Sequence, residues 1–176
     1  MRNVVLFIAM SLDGYIADAD GGVGWLAGQC NESENGDSYS EFTKTIDTVV
    51  MGWKTYYQVS TELSPSEWVY RDFRSYVITH NPQKPTENIQ FTCASPSELI
   101  RRLRKEPGKD IWICGGASIV QQLMRDSLID QFHISVIPTV LGSGVRLFGT
   151  LDWEMKLKLT ESRSCDGIVE VVYEKR

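Results

Sequence analysis

The chain has 176 residues, 42% hydrophobic and 23% charged, with a formal net charge of −5. That size and balance suit one domain, residues 1–176, around one hydrophobic core, and they exclude long disorder. The negative charge argues against a broad nucleic-acid surface, which needs clustered Lys and Arg.

Residues 3–10 are a strongly apolar run, too short to span a membrane and without a cleavage pattern behind it, so they predict a buried first strand. No membrane partner is expected. Residues 11–35 read as a long loop with its own anchors, Trp25 and Leu26, among Asp13-Gly14 and Asp20-Gly21-Gly22. A helix is predicted over 37–46, capped by Asp37 or Ser38, with Tyr39, Phe42 and Ile46 on one face. A second strand, 47–51, ends at Gly52, and a short helix runs through 54–57. Residues 60–72 read as irregular.

Strands are predicted over 76–79 and 88–92. Ser95-Pro96-Ser97-Glu98 has the spacing of a capping box with proline at the first helical position. The basic run Arg101-Arg102-Leu103-Arg104-Lys105 belongs to that helix and reads as a solvated face near its C-terminus. A strand over 110–114, the turn Gly115-Gly116 and a helix over 117–124 follow, then a strand over 129–137. Residues 140–148 form a glycine-rich loop. Trp153, Met155, Leu157 and Leu159 alternate with polar residues, predicting a strand with one buried face. Asp166-Gly167 is a hairpin signal before a last strand over 168–173. Strand–helix units followed by an antiparallel pair imply an α/β fold with a mixed sheet covered by helices.

Cys30, Cys93, Cys114 and Cys165 are scattered without a CxxC pair, and only His80 and His133 are present, so neither a disulfide framework nor a metal site is expected. The informative chemistry lies at two strand-to-helix junctions. Gly115-Gly116 opens a helix whose first N–H groups lack intrahelical partners, and glycine allows close approach of an anion. The motif is neither a Walker loop nor GxGxxG, and a tight turn with no ligand is the alternative. Met51-Gly52-Trp53-Lys54-Thr55 is a second junction, with a cation and a hydroxyl inside its helix. In open α/β sheets the strand C-termini gather where ligands bind, so both junctions, with Thr79, could grip one extended anion. Otherwise Lys54 is a surface lysine and Thr55 a capping residue.

Ser11-Leu12-Asp13-Gly14-Tyr15-Ile16-Ala17, Met51-Gly52-Trp53-Lys54-Thr55-Tyr56, residues 111–119 and Leu128-Ile129-Asp130 through Pro138-Thr139-Val140-Leu141-Gly142-Ser143-Gly144 occur in an order that resembles the dihydrofolate reductase-like superfamily. The resemblance is closer to the branch of the C-terminal reductase domain of the bifunctional riboflavin-biosynthesis protein. It implies a three-layer α/β/α fold with a central mixed, mostly parallel sheet and a C-terminal antiparallel hairpin. It also implies NADPH across the C-terminal edge of that sheet. Ala9 and Ile16 would border the nicotinamide. Gly52, Trp53, Lys54 and Thr55 would lie on the adenine-side phosphates, with Thr79 and His80 on the next strand end. Gly115, Gly116, Ala117, Ser118 and Ile119 would form the diphosphate turn. Trp53 stands where the family usually has Arg, which weakens the preference for NADPH over NADH.

On the substrate side the resemblance points to an acid early in the first helix, Asp37, with Glu41 as fallback. A carboxylate there accepts hydrogen bonds from an amino-pyrimidine edge and assists protonation; alternatively Asp37 only favours the helix N-terminus. A ribosylamino-pyrimidine phosphate would need an anionic anchor, for which Arg146 and Arg71 are the candidates. A cytoplasmic homodimer is implied, with residues 130–148, including Phe132 and Val136, at the interface. The leading expectation is an NADPH-dependent reductase of a small heterocyclic or ribosylamino-pyrimidine substrate. Dihydrofolate reduction and a non-catalytic nucleotide-binding dimer are the alternatives. A phosphoryl-handling enzyme would need metal-binding carboxylates by the Gly-Gly turn, and Asp130 reads as structural.

Overall fold

The structure, a computed structural model, describes residues 1–27, 29, 38–81 and 83–176. Its frame is an eight-stranded sheet in the order β5-β4-β3-β6-β1-β7-β10-β9. The strands are β1 (Val4–Ser11), β3 (Ile46–Gly52), β4 (Arg74–Ile78), β5 (Ile89–Thr92), β6 (Asp110–Gly115), β7 (Gln131–Ile137), β9 (Leu157–Cys165) and β10 (Ile168–Lys175). The six strands from β5 to β7 are parallel; β10 runs antiparallel to β7, and β9 antiparallel to β10. Two further short strands, β2 (Tyr15–Ala17) and β8 (Val145–Arg146), pair separately.

β1 is apolar on both faces because both are covered. Val4 and Leu6 join the core beneath α3 (Pro96–Leu103) and α4 (Ala117–Arg125), with Ile113, Leu99 and Leu123. Val5 and Phe7 join the opposite core with Phe42 of α1 (Ser38–Thr45) and Trp112. Helices on one face and α1 with an aromatic segment on the other give the three layers. α2 (Trp53–Gln58) bridges β3 to a π-helical turn, Val59–Leu63, which overlaps the start of the stretch 60–72 expected to be irregular.

The helix expected over 37–46 is shorter, because Ile46 already begins β3. Asp37, expected to cap it and to act in the site, lies outside the described residues. The motif over 11–17, expected as pure loop, contains β2. Three residues carry no periodicity, and the partner, β8, lies more than a hundred residues away. The strand expected from 153 begins at Leu157, and most of its residues are exposed on both faces. Leu159 is 48% exposed: at a sheet edge, alternation does not report a covered face. The Asp166-Gly167 turn is as expected. Both residues have positive φ, 51° and 75°, which suits the twist of a two-residue hairpin between Cys165 and Ile168.

The N-terminal end of the sheet is tied by charge. Arg2, 4% exposed, donates to the Lys109 carbonyl, Thr48 Oγ1 and the Asp47 carboxylate. Asp130 accepts from Val4 N at 2.8 Å and from Arg104. That is the structural role expected for it.

Candidate functional site

The C-terminal ends of β3 and β6 are adjacent, and their glycines bring both junction motifs together. A Cβ on Gly116 would meet Thr55 Oγ1 at 3.5 Å; one on Gly52 would meet Ile119 Cδ1 at 3.2 Å. Gly52, Thr55, Gly115, Gly116 and Ile119 therefore form one contiguous edge. Gly115 has φ +129°, a region side chains rarely adopt, and its peptide to Gly116 is cis. α4 starts on Gly116 without a side-chain cap, and α2 starts on Gly52 likewise. α3 differs: Ser95 and Glu98 form a complete capping box.

The remaining expected residues arrange around this edge. Gly52 is the register partner of Ile78, which places Thr79 and His80 one strand over; Thr79 is buried and His80 exposed. Lys54 is exposed and makes no hydrogen bond or ion pair among the described residues. Trp53 packs against Tyr56 and Phe91, at 5.4 and 6.3 Å between centroids. Trp53, Lys54, Tyr57 and Gln58 line a cleft of about 360 Å³ against the turn at Asp20–Gly22, where Gln58 Nε2 donates to the Gly21 carbonyl. Ala117 and Ser118 occupy the first turn of α4, with Ser118 exposed. Ala9 shares its sheet face with Phe7, and Ser135 is its register partner. Ile16, in β2, is half-buried against the core beneath α3 and α4.

The motif at Ser11–Gly14 has a role that sequence reading missed. Asp13 accepts from the Ser11 hydroxyl at 2.7 Å and from the backbone N–H groups of Leu141 and Gly142, at 3.1 and 2.7 Å. The Ser11 hydroxyl, aided by those amides, holds the Asp13 carboxyl down to about 2. Arg146 stacks 4.7 Å over the Tyr15 ring. A Cβ on Gly144 would stand 2.1 Å from the Ala17 carbonyl oxygen, so glycine is required there. The two motifs are thus one clamp beside the end of β1.

Beyond Ala9 on the same face lies a groove of about 370 Å³ between α1 and strands β7, β10 and β9. Its floor includes Phe7 and Phe42, stacked at 4.3 Å, and His133. Burial holds His133 below its ordinary pKa. Ser38 Oγ donates to Glu170 Oε1 at 2.8 Å. Arg163 lies 3.7, 3.1 and 3.2 Å from carboxylates of Glu41, Glu161 and Glu170. These residues became visible only once the strand register was known. Glu41, the fallback acid, is thus an ion-pair partner on the groove wall. Arg71 pairs with Glu67, and neither it nor Arg146 lines this groove. Nearby, Cys114 Sγ is 3.6 Å from the Tyr70 hydroxyl, and burial pushes the thiol up to about 11. Among the described residues no group of three or more His, Cys, Asp or Glu can hold a metal, and no helix is long and apolar enough to cross a membrane.

Residues 2–170 match the family model of the RibD C-terminal domain. The chain belongs to the RibD C-terminal domain family. It is 42% identical to the uncharacterized protein YwjB of Bacillus subtilis (strain 168) over 98% of this chain and 97% of that one. A putative riboflavin biosynthesis protein from Shewanella sp. PV-4 superposes with a TM-score of 0.85 at 27% identity, covering 100% and 99% of the two chains. A diaminohydroxyphosphoribosylaminopyrimidine deaminase/5-amino-6-(5-phosphoribosylamino)uracil reductase from Thermotoga maritima gives 0.74 at 16% identity, over 99% of this chain and 57% of that one. That last likeness shows the fold alone. RibD C-terminal membership bears out the resemblance read in the motifs and places the chain among reductase-like proteins.

Proposed function

We propose that this chain is an NADPH-dependent reductase that delivers hydride to a small heterocyclic substrate, of which a ribosylamino-pyrimidine is one form. The observation that carries the reading is the meeting of the two junctions, with Thr55 Oγ1 3.5 Å from the Cβ position of Gly116. A glycine-lined helix start without a side-chain cap suits a diphosphate, because the N–H groups and helix dipole favour negative charge. Thr55 would add a hydroxyl donor, and Lys54, unpaired among the described residues, the charge that Trp53 does not supply.

Bound there, the dinucleotide supplies a transferable hydride. The chain's share is positioning. The Gly115-Gly116 backbone and Thr55 would fix the diphosphate. Ala9, small and on the groove side of β1, would leave room for a flat ring, and the clamp centred on Asp13 would hold the loop beside it. The hydride acceptor would sit in the groove floored by Phe7 and Phe42, which excludes water from one side of the ring. Asp37, next in sequence to Ser38 at the groove wall, is our proposed source of the accompanying proton. A cytoplasmic homodimer belongs to the same reading. Phe132 is fully buried in the chain's own core and is no interface residue; Val140, Val145 and Phe148 are the exposed apolar groups of that segment. Sedimentation equilibrium of wild type and Val140→Glu tests the dimer.

Titration with NADPH and NADH, followed by nicotinamide fluorescence, tests the core of the proposal. Micromolar binding of NADPH is expected. Absence of binding by either nucleotide at high micromolar concentration would remove the reductase reading. Asp37→Asn should then lower turnover while leaving nucleotide affinity unchanged.

A further inference from the structure

We infer that the groove beside Ala9 accepts a small planar ring that is uncharged or protonated, and that it turns away phosphate esters. This rests on the reductase reading for the groove's role and narrows its substrate class. The position follows from register: Ser135 pairs with Ala9 and His133 with Phe7, so the groove begins beside the proposed hydride position. Its volume, about 370 Å³, suits a ring with few substituents. Its floor includes the half-buried Phe7 and His133, which supply apolar ring surface, with the buried Phe42 stacked on Phe7.

Charge decides the class. Among the described residues Arg163 is the only Lys or Arg in the groove's lining, and it is already shared among Glu41, Glu161 and Glu170. With Asp110, also in the lining, four carboxylates face one guanidinium among the described residues, a net of three formal negative charges. A phosphate entering here would have to draw Arg163 away from its carboxylates and sit beside them. Water weakens that repulsion, since the side chains of Glu41 and Glu161 are more than half exposed, but that of Glu170 is only 26% exposed. The other arginines considered as anchors are committed elsewhere, Arg146 over Tyr15 and Arg71 to Glu67. A ring bearing amino or amidine N–H groups has the opposite fit. It donates to the carboxylates, whose negative charge also favours a cation.

Benzamidine and benzoate have nearly the same outline and opposite charge, which makes them direct probes. Calorimetric titration of the full chain should give benzamidine an affinity at least about tenfold above that of benzoate or ribose 5-phosphate. In the double variant Glu161→Gln, Glu170→Gln, checked for folding by circular dichroism, the preference should shrink to within about threefold. Equal or tighter binding of benzoate or ribose 5-phosphate, no detectable binding of benzamidine, or a preference unchanged in the double variant would each overturn the inference. NADPH titrations on the same samples separate the two claims. NADPH binding without the benzamidine preference removes this inference alone, and the preference without NADPH binding removes the reductase reading alone.

Discussion

The two ends of the parallel sheet are built from opposite materials. At the N-terminal end, side chains of the protein tie the strands together: Arg2 joins three segments, Asp130 takes Val4 N and Arg104, and Asp110 accepts from Asn3 N at 2.8 Å. At the C-terminal end, Gly52, Gly115 and Gly116 stand where side chains would close the same gaps, and two helices start there without a side-chain cap. One end uses its polar groups on the fold. The other leaves the backbone at Gly52 and Gly116 partly exposed, which costs stability through glycine's freedom in the unfolded chain and would allow the proposed ligand close approach. A mutation should therefore damage stability at one end and binding at the other.

Gly116→Val is the strongest way to break that contrast. Gly116 has φ −83°, and its Cβ would meet only Thr55 Oγ1 at an ordinary 3.5 Å, so the fold should tolerate a side chain. Nucleotide affinity should fall by on the order of 100-fold or more, because the added methyls would stand where the proposed diphosphate approaches. Fluorescence titration of a variant with native circular dichroism checks this, and unchanged affinity would remove the turn from the site. Arg2→Met is the counterpart. It strips the donor from Asp47 and from buried carbonyls and should lower stability by about 3 kcal/mol, the low end for a broken buried pair because Asp47 is partly solvated. Urea unfolding measures it, and nucleotide affinity of the folded fraction should be unaltered.

The two ends also differ in how far sequence reveals them. The glycine end was legible, since Gly52 and Gly115-Gly116 interrupt apolar strands at the point where helices begin, and such punctuation is local. The charged end was largely hidden. Arg2 sits outside the apolar run, and no local pattern marks it as buried. Its burial depends on Asp47 and Lys109, brought close by strand pairing across the sheet. Asp130 was read as structural, yet its partners Val4 and Arg104 were not foreseeable. The groove was hidden for the same reason: Phe7, Ser135, Glu170 and Arg163 come from four strands whose faces are set by register. The succession of strands along the chain, the hairpin at Asp166-Gly167 and the capping box at Ser95 were readable because each depends on residues within a few positions.

Asp13 lies at the open end but is used as residues are at the charged end, and pH separates it from its surroundings. Its carboxyl is held at about 2, chiefly by the Ser11 hydroxyl, below an ordinary value of 3.8. A depressed acid contributes stability that is complete above the ordinary value and is lost as pH falls through the folded value. The clamp on Leu141 and Gly142 should thus hold at pH 5 and release between about pH 4 and pH 2. Hydrogen exchange of those two amides should accelerate over that window relative to the β1 core, and Asp13→Asn should abolish the step. An unchanged step in that variant would assign it to another group.

Ser95→Ala gives the smallest effect and the finest test of the contrast. α3 lies beside α4 on the same face of the sheet, but its N-terminus is closed by its own residues: Ser95 Oγ accepts from Glu98 N, and Glu98 accepts from Ser95 N at 3.0 Å. Removing the hydroxyl should cost about 1 kcal/mol, the usual value of a lost cap, readable as a small shift of the urea midpoint. It should leave nucleotide affinity unchanged, since this helix end has already used its donors within the protein. If Ser95→Ala weakened NADPH binding as Gly116→Val should, the open and closed helix starts would not be functionally different, and the absence of a cap on Gly116 would lose its meaning as a site.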